Sequence, residues 1–90
     1  MSAISARHIL VETLEQAQQL KDSITDETSF AKAAVEHSKC PSGKQGGNLG
    51  MFNKGQMVKP FEDAAYSLDV GSISDPVQTQ FGYHLIFRTV

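Results

Sequence analysis

The sequence predicts an α+β domain built on a small, mostly antiparallel β-sheet. Apolar residues alternate with other residues near both ends of the chain, which is typical of β-strands. Between those ends, several stretches repeat apolar residues every three or four positions, as amphipathic helices do. The order is therefore strand, helix, helix, loop, strand, helix, strand, strand. Helices interleaved with so few strands indicate an α+β fold.

The first predicted strand covers residues 6–12, ARHILVE, where a short apolar run is bounded by polar residues. Thr13 then begins a helix, because Thr13 and Gln16 have the spacing of a capping box. In a capping box each side chain satisfies a free backbone N–H group at the start of the helix. The apolar face of this helix contains Leu14, Ala17, Leu20 and Ile24.

The second helix begins near Thr28 or Ser29. It ends before Pro41, because the residue ahead of a proline avoids helical backbone angles. The spacing of its apolar face makes His37 a packed core residue rather than a catalytic one. That face contains Phe30, Ala33, Ala34 and His37.

A glycine-rich loop, CPSGKQGGNLGMF, occupies residues 40–52 and holds the only cysteine of the chain. Its adjacent glycines, Gly46 and Gly47, permit backbone angles that other residues resist. The end of this loop and the residues after it, NLGMFNKG, predict a short strand followed by a turn.

The third helix covers residues 59–68, KPFEDAAYSL, with Pro60 near the first position, where its missing N–H group costs nothing. Gly71 ends this helical segment. Two further strands follow, in residues 73–79 and 83–90, and the second of them alternates clearly.

The composition excludes several classes of protein. Ninety residues, 40% of them hydrophobic and 20% charged, fit one globular domain over residues 1–90. The net charge of −2 gives no general attraction to nucleic acid, and no stretch approaches the roughly 20 apolar residues of a membrane span. The N-terminus lacks a signal-peptide pattern, and a single cysteine allows no internal disulfide. We therefore expect a cytoplasmic monomer with no nucleic-acid or membrane partner.

Three side chains are candidates for chemistry: His8, Cys40 and His84. His8 lies in the first predicted strand and His84 in the last. Terminal strands often pair in small α+β domains, and pairing would bring both histidines to one face, with Cys40 facing them from the loop. The spacing alone leaves both a functional and a purely structural interpretation open, because a lone cysteine is often a small buried hydrophobe and a strand histidine is often structural.

Metal and phosphate sites are not predicted, so we expect no cofactor. No two of the cysteine and histidine residues have short ligand spacing such as C-x-x-C or H-x-x-x-H. The glycines of GKQGGNLG do not fit the pattern G-x-x-x-x-G-K-S/T, and no strand leads this loop into a helix.

An apolar pocket is a further candidate site. Met57 and Phe81 stand in predicted turns, where apolar residues that gather near a loop can form a pocket.

Three segments of the chain share a specific combined pattern. They are ARHILV, HSKCPSGKQGGNLGMFNKGQMVKPFEDAAYSL and PVQTQFGYHLI, and they cover nearly the whole chain. The pattern is S-x-C-x-S-x-x-x-G-G-x-L-G-x-F, then G-Q-M-x-x-P-F, then F-G-Y-H. With these motifs the sequence resembles the parvulin family of peptidyl-prolyl cis/trans isomerases, and most of all its small free-standing bacterial members.

The resemblance implies a four-stranded, largely antiparallel sheet surrounded by about four helices, one of them a short turn after the cysteine. It implies peptidyl-prolyl isomerase activity on proline-containing peptides and on unfolded or partly folded proteins, and hence a role in protein folding. The implied catalytic residues are His8, Cys40 and His84. The residues that match the proline pocket, its rim and its hydrogen-bond network are Leu49, Met57, Phe61, Thr79 and Phe81.

Two features depart from common patterns of that family. Asn48 stands where many members have aspartate, which removes a negative charge near Cys40. Phosphate-directed members carry an arginine-rich loop after the first strand, and here that stretch is the acidic LVETLEQ. We therefore expect a preference for an uncharged, apolar residue before proline. Lys39 and Lys44 flank the cysteine and are the cations that could reverse this preference.

Three functions are compatible with these residues. The favoured one is non-covalent isomerisation, in which Cys40 and the two histidines act through electrostatics and hydrogen bonds, since rotation about an amide breaks no bond. The first alternative is a module that binds extended peptides and has little isomerase activity. The second is a thiol hydrolase that uses Cys40 with one of the histidines.

Overall fold

The structure is a computed structural model that describes residues 3–90. Its elements, in chain order, are β1 (Ile4–Val11), α1 (Leu14–Ser23), α2 (Glu27–His37), a 3₁₀ helix (Pro41–Gln45), β2 (Asn48–Phe52), α3 (Lys59–Ser67), β3 (Val77–Thr79) and β4 (Gly82–Arg88). The strands form one antiparallel sheet in the order β2-β1-β4-β3. The predicted α+β fold is confirmed, and the 3₁₀ helix is the short turn expected after the cysteine.

Strands β1 and β4 pair at the centre of the sheet. Their antiparallel register places His8 opposite Ile86 and Leu10 opposite His84. Side chains two residues apart on a strand point to the same face, so His8 and His84 are diagonal neighbours on one face. The predicted pairing of the terminal strands is therefore confirmed.

Each face of the sheet carries its own apolar cluster. Ile9 and Val11 of β1 pack with residues of α1, α2 and β4, while Ile4 and Ala6 pack with residues of β2, α3 and β4. His8 alternates along β1 with Ile9 and therefore lies on the face that α3 covers. Within residues 3–90, no helix has the length and apolar character that crossing a membrane requires.

Helix α1 begins as the sequence predicts. The Gln16 backbone N–H donates to Thr13 Oγ1 at 3.1 Å, and Gln16 Oε1 accepts from the Thr13 N–H at 3.2 Å. Helix α2, however, begins at Glu27, ahead of the predicted Thr28 or Ser29. Asp26 caps it, with its carboxylate accepting the Ser29 N–H at 2.8 Å.

Three further expectations from the sequence are wrong. Helix α1 ends at Ser23, so Ile24 is the residue after the helix, although its side chain packs against the same apolar cluster as Leu20. Leu14 is 47% exposed. Strand β3 begins at Val77 rather than at residue 73. Ile73 still forms an isolated bridge with Phe87 of β4, but Pro76 has no N–H group with which to continue a ladder.

His37 is exposed rather than packed in the core. It lies in the last turn of α2 and lines an open groove, whose other walls include the polar Gln16 and Gln19 and the apolar Val11 and Leu20. The buried residues of α2 are Phe30, Ala33 and Ala34, which lie earlier in the helix. The periodicity therefore identified the correct face but not the point at which the helix leaves the core.

Candidate active site

The two histidines of the central strands form a buried, hydrogen-bonded pair. Each is 5% exposed, and their Nδ1 atoms lie 3.0 Å apart. The rings are stacked, with centroids 5.2 Å apart and an angle of 18° between their planes. This geometry confirms that His8 and His84 meet on one face of the sheet.

Hydrogen bonds continue from both ends of this pair. On one side, His8 Nε2 lies 3.1 Å from Ser42 Oγ, which in turn lies 3.4 Å from Cys40 Sγ. On the other side, His84 Nε2 lies 2.8 Å from Thr79 Oγ1. The five side chains therefore form one continuous network. Ser42 was not among the residues predicted from the sequence.

Burial disfavours the charged form of both histidines. The pKa of His8 is lowered from 6.5 to about 4, mainly because burial removes the ring from water and also because His84 lies beside it. Burial also lowers the pKa of His84 from 6.5. Two neutral rings share a single Nδ1–Nδ1 hydrogen bond only if one nitrogen carries hydrogen and the other accepts.

This requirement gives the whole network a direction. In one arrangement the Thr79 hydroxyl donates to His84, His84 donates to His8, and His8 donates to Ser42. The Ser42 hydroxyl then donates to the sulfur of Cys40. In the opposite arrangement every donor and acceptor is exchanged, and the Cys40 thiol donates to Ser42. The direction of the hydrogen bond at Cys40 is thus linked through one path of hydrogen bonds to the hydroxyl of Thr79.

The network borders an open cleft of about 470 Å³. Phe61 forms part of its apolar floor. The Phe61 ring packs edge-on against both histidines, with its centroid 5.5 Å from that of His8 and 5.3 Å from that of His84 and an interplanar angle of 82° in both cases. Leu49 and Met57 are half-buried beside it. Phe81 is 61% exposed at the rim, and its backbone N–H donates to Thr79 Oγ1 at 3.2 Å.

The structure therefore brings the predicted site residues together. All of them line the cleft except Thr79, which joins the site by bonding to His84. The cleft-lining residues that the sequence did not assign to the site are Leu10, Pro41, Gln56, Val58 and Lys39, of which Lys39 was noted only as a cation beside Cys40. Their places in the chain could have identified them, because Lys39 and Pro41 flank Cys40 and Gln56 and Val58 flank Met57. Leu10 lies two residues after His8, on the same face of β1.

Three hydrogen bonds from backbone N–H groups hold the side chains of the network in place. The His8 N–H donates to the Gly47 carbonyl at 2.9 Å, so the glycine-rich loop is fixed against β1. Ser38 Oγ accepts from the Leu10 N–H at 3.1 Å and from the Cys40 N–H at 3.3 Å. These bonds fix the start of the 3₁₀ helix, and with it Cys40, relative to the histidine pair.

Charge is sparse around the cleft. Among the residues that the structure describes, Lys39 is the one cleft-lining residue with a permanently charged side chain, and its Nζ lies 3.4 Å from Glu12 Oε1. Lys44 and Asn48 do not line the cleft. Asn48 Oδ1 instead accepts the Gly50 N–H at 3.0 Å.

No group of three His, Cys, Asp or Glu side chains in residues 3–90 is arranged as a metal site would require.

The Rotamase family model, described as the PPIC-type PPIASE domain, matches residues 7–89. The chain belongs to the parvulin family. This is the family of PPIC-type peptidyl-prolyl isomerase domains, as the sequence motifs predicted.

Known parvulins of two kinds are similar to this domain. It is 50% identical over 84 residues to the foldase protein PrsA of Geobacillus sp. (strain WCH70), covering 92% of this chain and 30% of that protein. It is 49% identical over 86 residues to the peptidyl-prolyl cis-trans isomerase Pin1 of Arabidopsis thaliana, covering 90% of this chain and 72% of that protein.

A solved structure of comparable size is also similar. NmPin, the parvulin of Nitrosopumilus maritimus, matches this parvulin domain with a TM-score of 0.82 and 44% identity, over 100% of this chain and 98% of that one. This parvulin domain spans about 30% of the length of the first PrsA foldases it matches.

Proposed function

We propose that this domain assists protein folding by rotating Xaa–Pro bonds without forming a covalent intermediate. The observation that carries this proposal is the juxtaposition of an apolar pocket with an uncharged hydrogen-bond network. Phe61 contacts both elements, since its ring packs against the two histidines and also forms the floor of the cleft. A proline ring seated on Phe61 would place its amide beside the network.

The reaction needs only that the twisted amide be bound better than either planar form. The barrier of about 18–20 kcal/mol comes from resonance in the C–N bond. Twisting the amide removes this resonance, so its carbonyl becomes less polar and its nitrogen more basic. An apolar pocket that holds the ring while the carbonyl turns therefore favours the twisted state over the planar ones.

The network supplies the polar part of the catalysis. Cys40 and His8 both line the cleft, so the path of the rotating carbonyl is bordered by groups that can reverse their hydrogen-bond direction. Such preorganised groups stabilise a changing charge distribution without the reorganisation that water would need. Cys40 acts here as a hydrogen-bonding group at the head of the network, not as a nucleophile.

Replacing Cys40 with serine is expected to leave the domain folded and to reduce kcat/KM by roughly tenfold, which is about 1.4 kcal/mol in the activation free energy. A hydroxyl preserves the contact with Ser42 but has little anionic character. The measurement is exchange NMR on a short Leu-Pro peptide with catalytic amounts of protein. Complete loss of activity in a folded Cys40→Ser variant, with a covalent adduct trapped on the wild type, would contradict the non-covalent mechanism.

The same NMR experiment separates the alternative functions. Faster cis/trans exchange without cleavage supports the isomerase. Peptide-induced shifts without faster exchange would instead indicate a peptide-binding module, and cleavage of the peptide would indicate a hydrolase.

We also propose that the domain prefers an uncharged, apolar residue before proline. Lys39 is the one permanent cation of the cleft wall among residues 3–90, and the carboxylate of Glu12 lies beside it at the end of β1. An incoming phosphate therefore meets a partly neutralised cation and an adjacent negative charge. Arginine pairs of the kind that receive phosphate are not among the cleft-lining residues.

The expected order of kcat/KM is Leu-Pro above Glu-Pro above phosphoserine-Pro. Glu12→Gln should narrow the gap between Leu-Pro and Glu-Pro peptides several-fold, because it leaves the Lys39 ammonium free for a substrate carboxylate. Glu15→Gln is the matched control, since Glu15 lies in the first turn of α1 and does not line the cleft. If the phosphorylated peptide is the best wild-type substrate, the charge argument fails.

A further inference from the structure

Glu62 is a buried carboxylate next to the cleft that rotation of the amide does not use. It is 8% exposed and follows the pocket residue Phe61 in α3. A buried carboxylate is costly unless it is hydrogen-bonded. Its Oε1 accepts the backbone N–H of Gly55, and its place in the first turn of α3 also favours a negative charge.

Gly55 belongs to the loop formed by residues 53–58, which links β2 to α3. Three consecutive residues of this loop, Gln56, Met57 and Val58, line the cleft. Bonds between Asn53 and Gln56 shape the turn internally but do not attach it to a helix or strand.

Glu62 attaches the loop to α3 at two points. Its carboxylate holds the Gly55 N–H, and its own backbone N–H donates to the Val58 carbonyl at 3.0 Å. Met57 lies between these two points of attachment. The Glu62 carboxylate therefore acts together with the apolar packing of Met57 and Val58 against the cluster of Phe61 in holding this loop beside the pocket.

We propose that Glu62 is a positioning residue that holds the 53–58 loop as a wall of the proline pocket and so sets the affinity for substrate. This inference rests on the proposed function. The loop contacts the proline ring, which keeps its shape while the carbonyl turns. An interaction that is equal in the ground and transition states changes KM and leaves kcat unaltered. The histidine network, in contrast, acts on the rotating amide and governs kcat.

The test compares Glu62→Met and Glu62→Gln with Asp63→Ala. Methionine fills a similar volume without a strong acceptor, and the glutamine amide oxygen can still accept from Gly55. Asp63 is the matched control, because it lies in the same turn and its carboxylate contacts the exposed Lys59. The measurements are KM and kcat on a Leu-Pro peptide, with amide hydrogen exchange of Gly55 by NMR.

Glu62→Met is expected to raise KM about five- to tenfold with kcat within about twofold of the wild type, and to speed exchange at Gly55. Glu62→Gln should restore most of both properties, and Asp63→Ala should match the wild type. An unprotected Gly55 amide in the wild type would overturn the proposal without any variant. So would an unchanged KM in Glu62→Met, or a fall in kcat alone.

Failure of this proposal is distinguishable from failure of the proposed function. A wild-type protein that does not accelerate exchange contradicts the isomerase mechanism, but the Kd of the peptide from an NMR titration still reports on the pocket wall. If Glu62→Met does not fold, Glu62→Ala and the Gly55 exchange of the wild type provide the same comparison.

Discussion

Replacing Gly47 with alanine is expected to destabilise the domain by about 3–5 kcal/mol. Gly47 has a φ of +78°, in the left-handed region that side chains resist. A Cβ atom there would lie 2.2 Å from the carbonyl oxygen of His8, a backbone atom that cannot rotate away. The His8 N–H is bonded to the Gly47 carbonyl as well, so the two segments cannot separate without losing that bond.

Gly50→Ala provides the matched control. Gly50 has a similar φ of +71°, but a Cβ atom built on it has no neighbour within 4 Å. Gly50→Ala is expected to lower the free energy of unfolding by only the cost of the left-handed backbone conformation, about 1–2 kcal/mol. Urea unfolding followed by circular dichroism measures both losses, against a total stability of roughly 5–15 kcal/mol for domains of this kind. Equal losses in the two variants would show that the close approach of Gly47 to His8 is not significant.

The elements that the sequence predicted best are those set by local contacts. Thr13 and Gln16 form their capping box within one turn of chain, so their spacing was sufficient to locate the start of α1. Asp26 and Ser29 form the same arrangement, yet the prediction placed the start of α2 later, because Thr28 and Ser29 are also good capping residues. His37 was misplaced since its exposure depends on where α2 leaves the sheet, which is a tertiary property.

Predicting the site residues required knowledge of which distant parts of the chain meet in the fold. His8 and His84 are 76 positions apart, and the prediction that they meet depended on pairing of the terminal strands. Ser42 could not be identified in the same way, because its hydroxyl reaches His8 only through the fold of the 3₁₀ helix. Lys39 was noticed for its charge, but its place in the cleft and its pairing with Glu12 are visible only in three dimensions.

Acidification below pH 6.5 is expected to destabilise the domain through its buried histidines. His8 has a pKa of about 4 in the folded protein and 6.5 as its ordinary value. Between these two pH values the unfolded chain binds a proton at His8 that the folded domain excludes. Stability is therefore complete above pH 6.5 and falls as the pH decreases toward 4, with no further loss from His8 below that. His84, whose pKa burial also lowers, acts in the same direction.

Two aspartates affect the stability of the domain in a separate, lower range of pH. Hydrogen bonds with Ser29 lower the pKa of Asp26 from 3.8, and the Lys21 ammonium lowers that of Asp75 from the same value. Stability that depends on a carboxylate with a lowered pKa is lost only as the pH falls below its ordinary value. The stability that both residues provide is therefore kept above pH 3.8 and lost only below it, outside the range in which the histidines act.

We expect the free energy of unfolding to fall by about 2–3 kcal/mol from His8 alone between pH 7 and about pH 4.5. Urea unfolding at a series of pH values measures this loss. His8→Gln, which cannot titrate, should be less stable at pH 7 and should lose the larger part of the acid dependence, leaving the portion due to His84. His37→Gln is the control, because His37 is exposed and outside the network, and it should retain the wild-type dependence. A flat wild-type profile over this range would mean that the buried pair accepts a proton without opening, and an NMR titration of the His8 ring would then give a pKa well above 4.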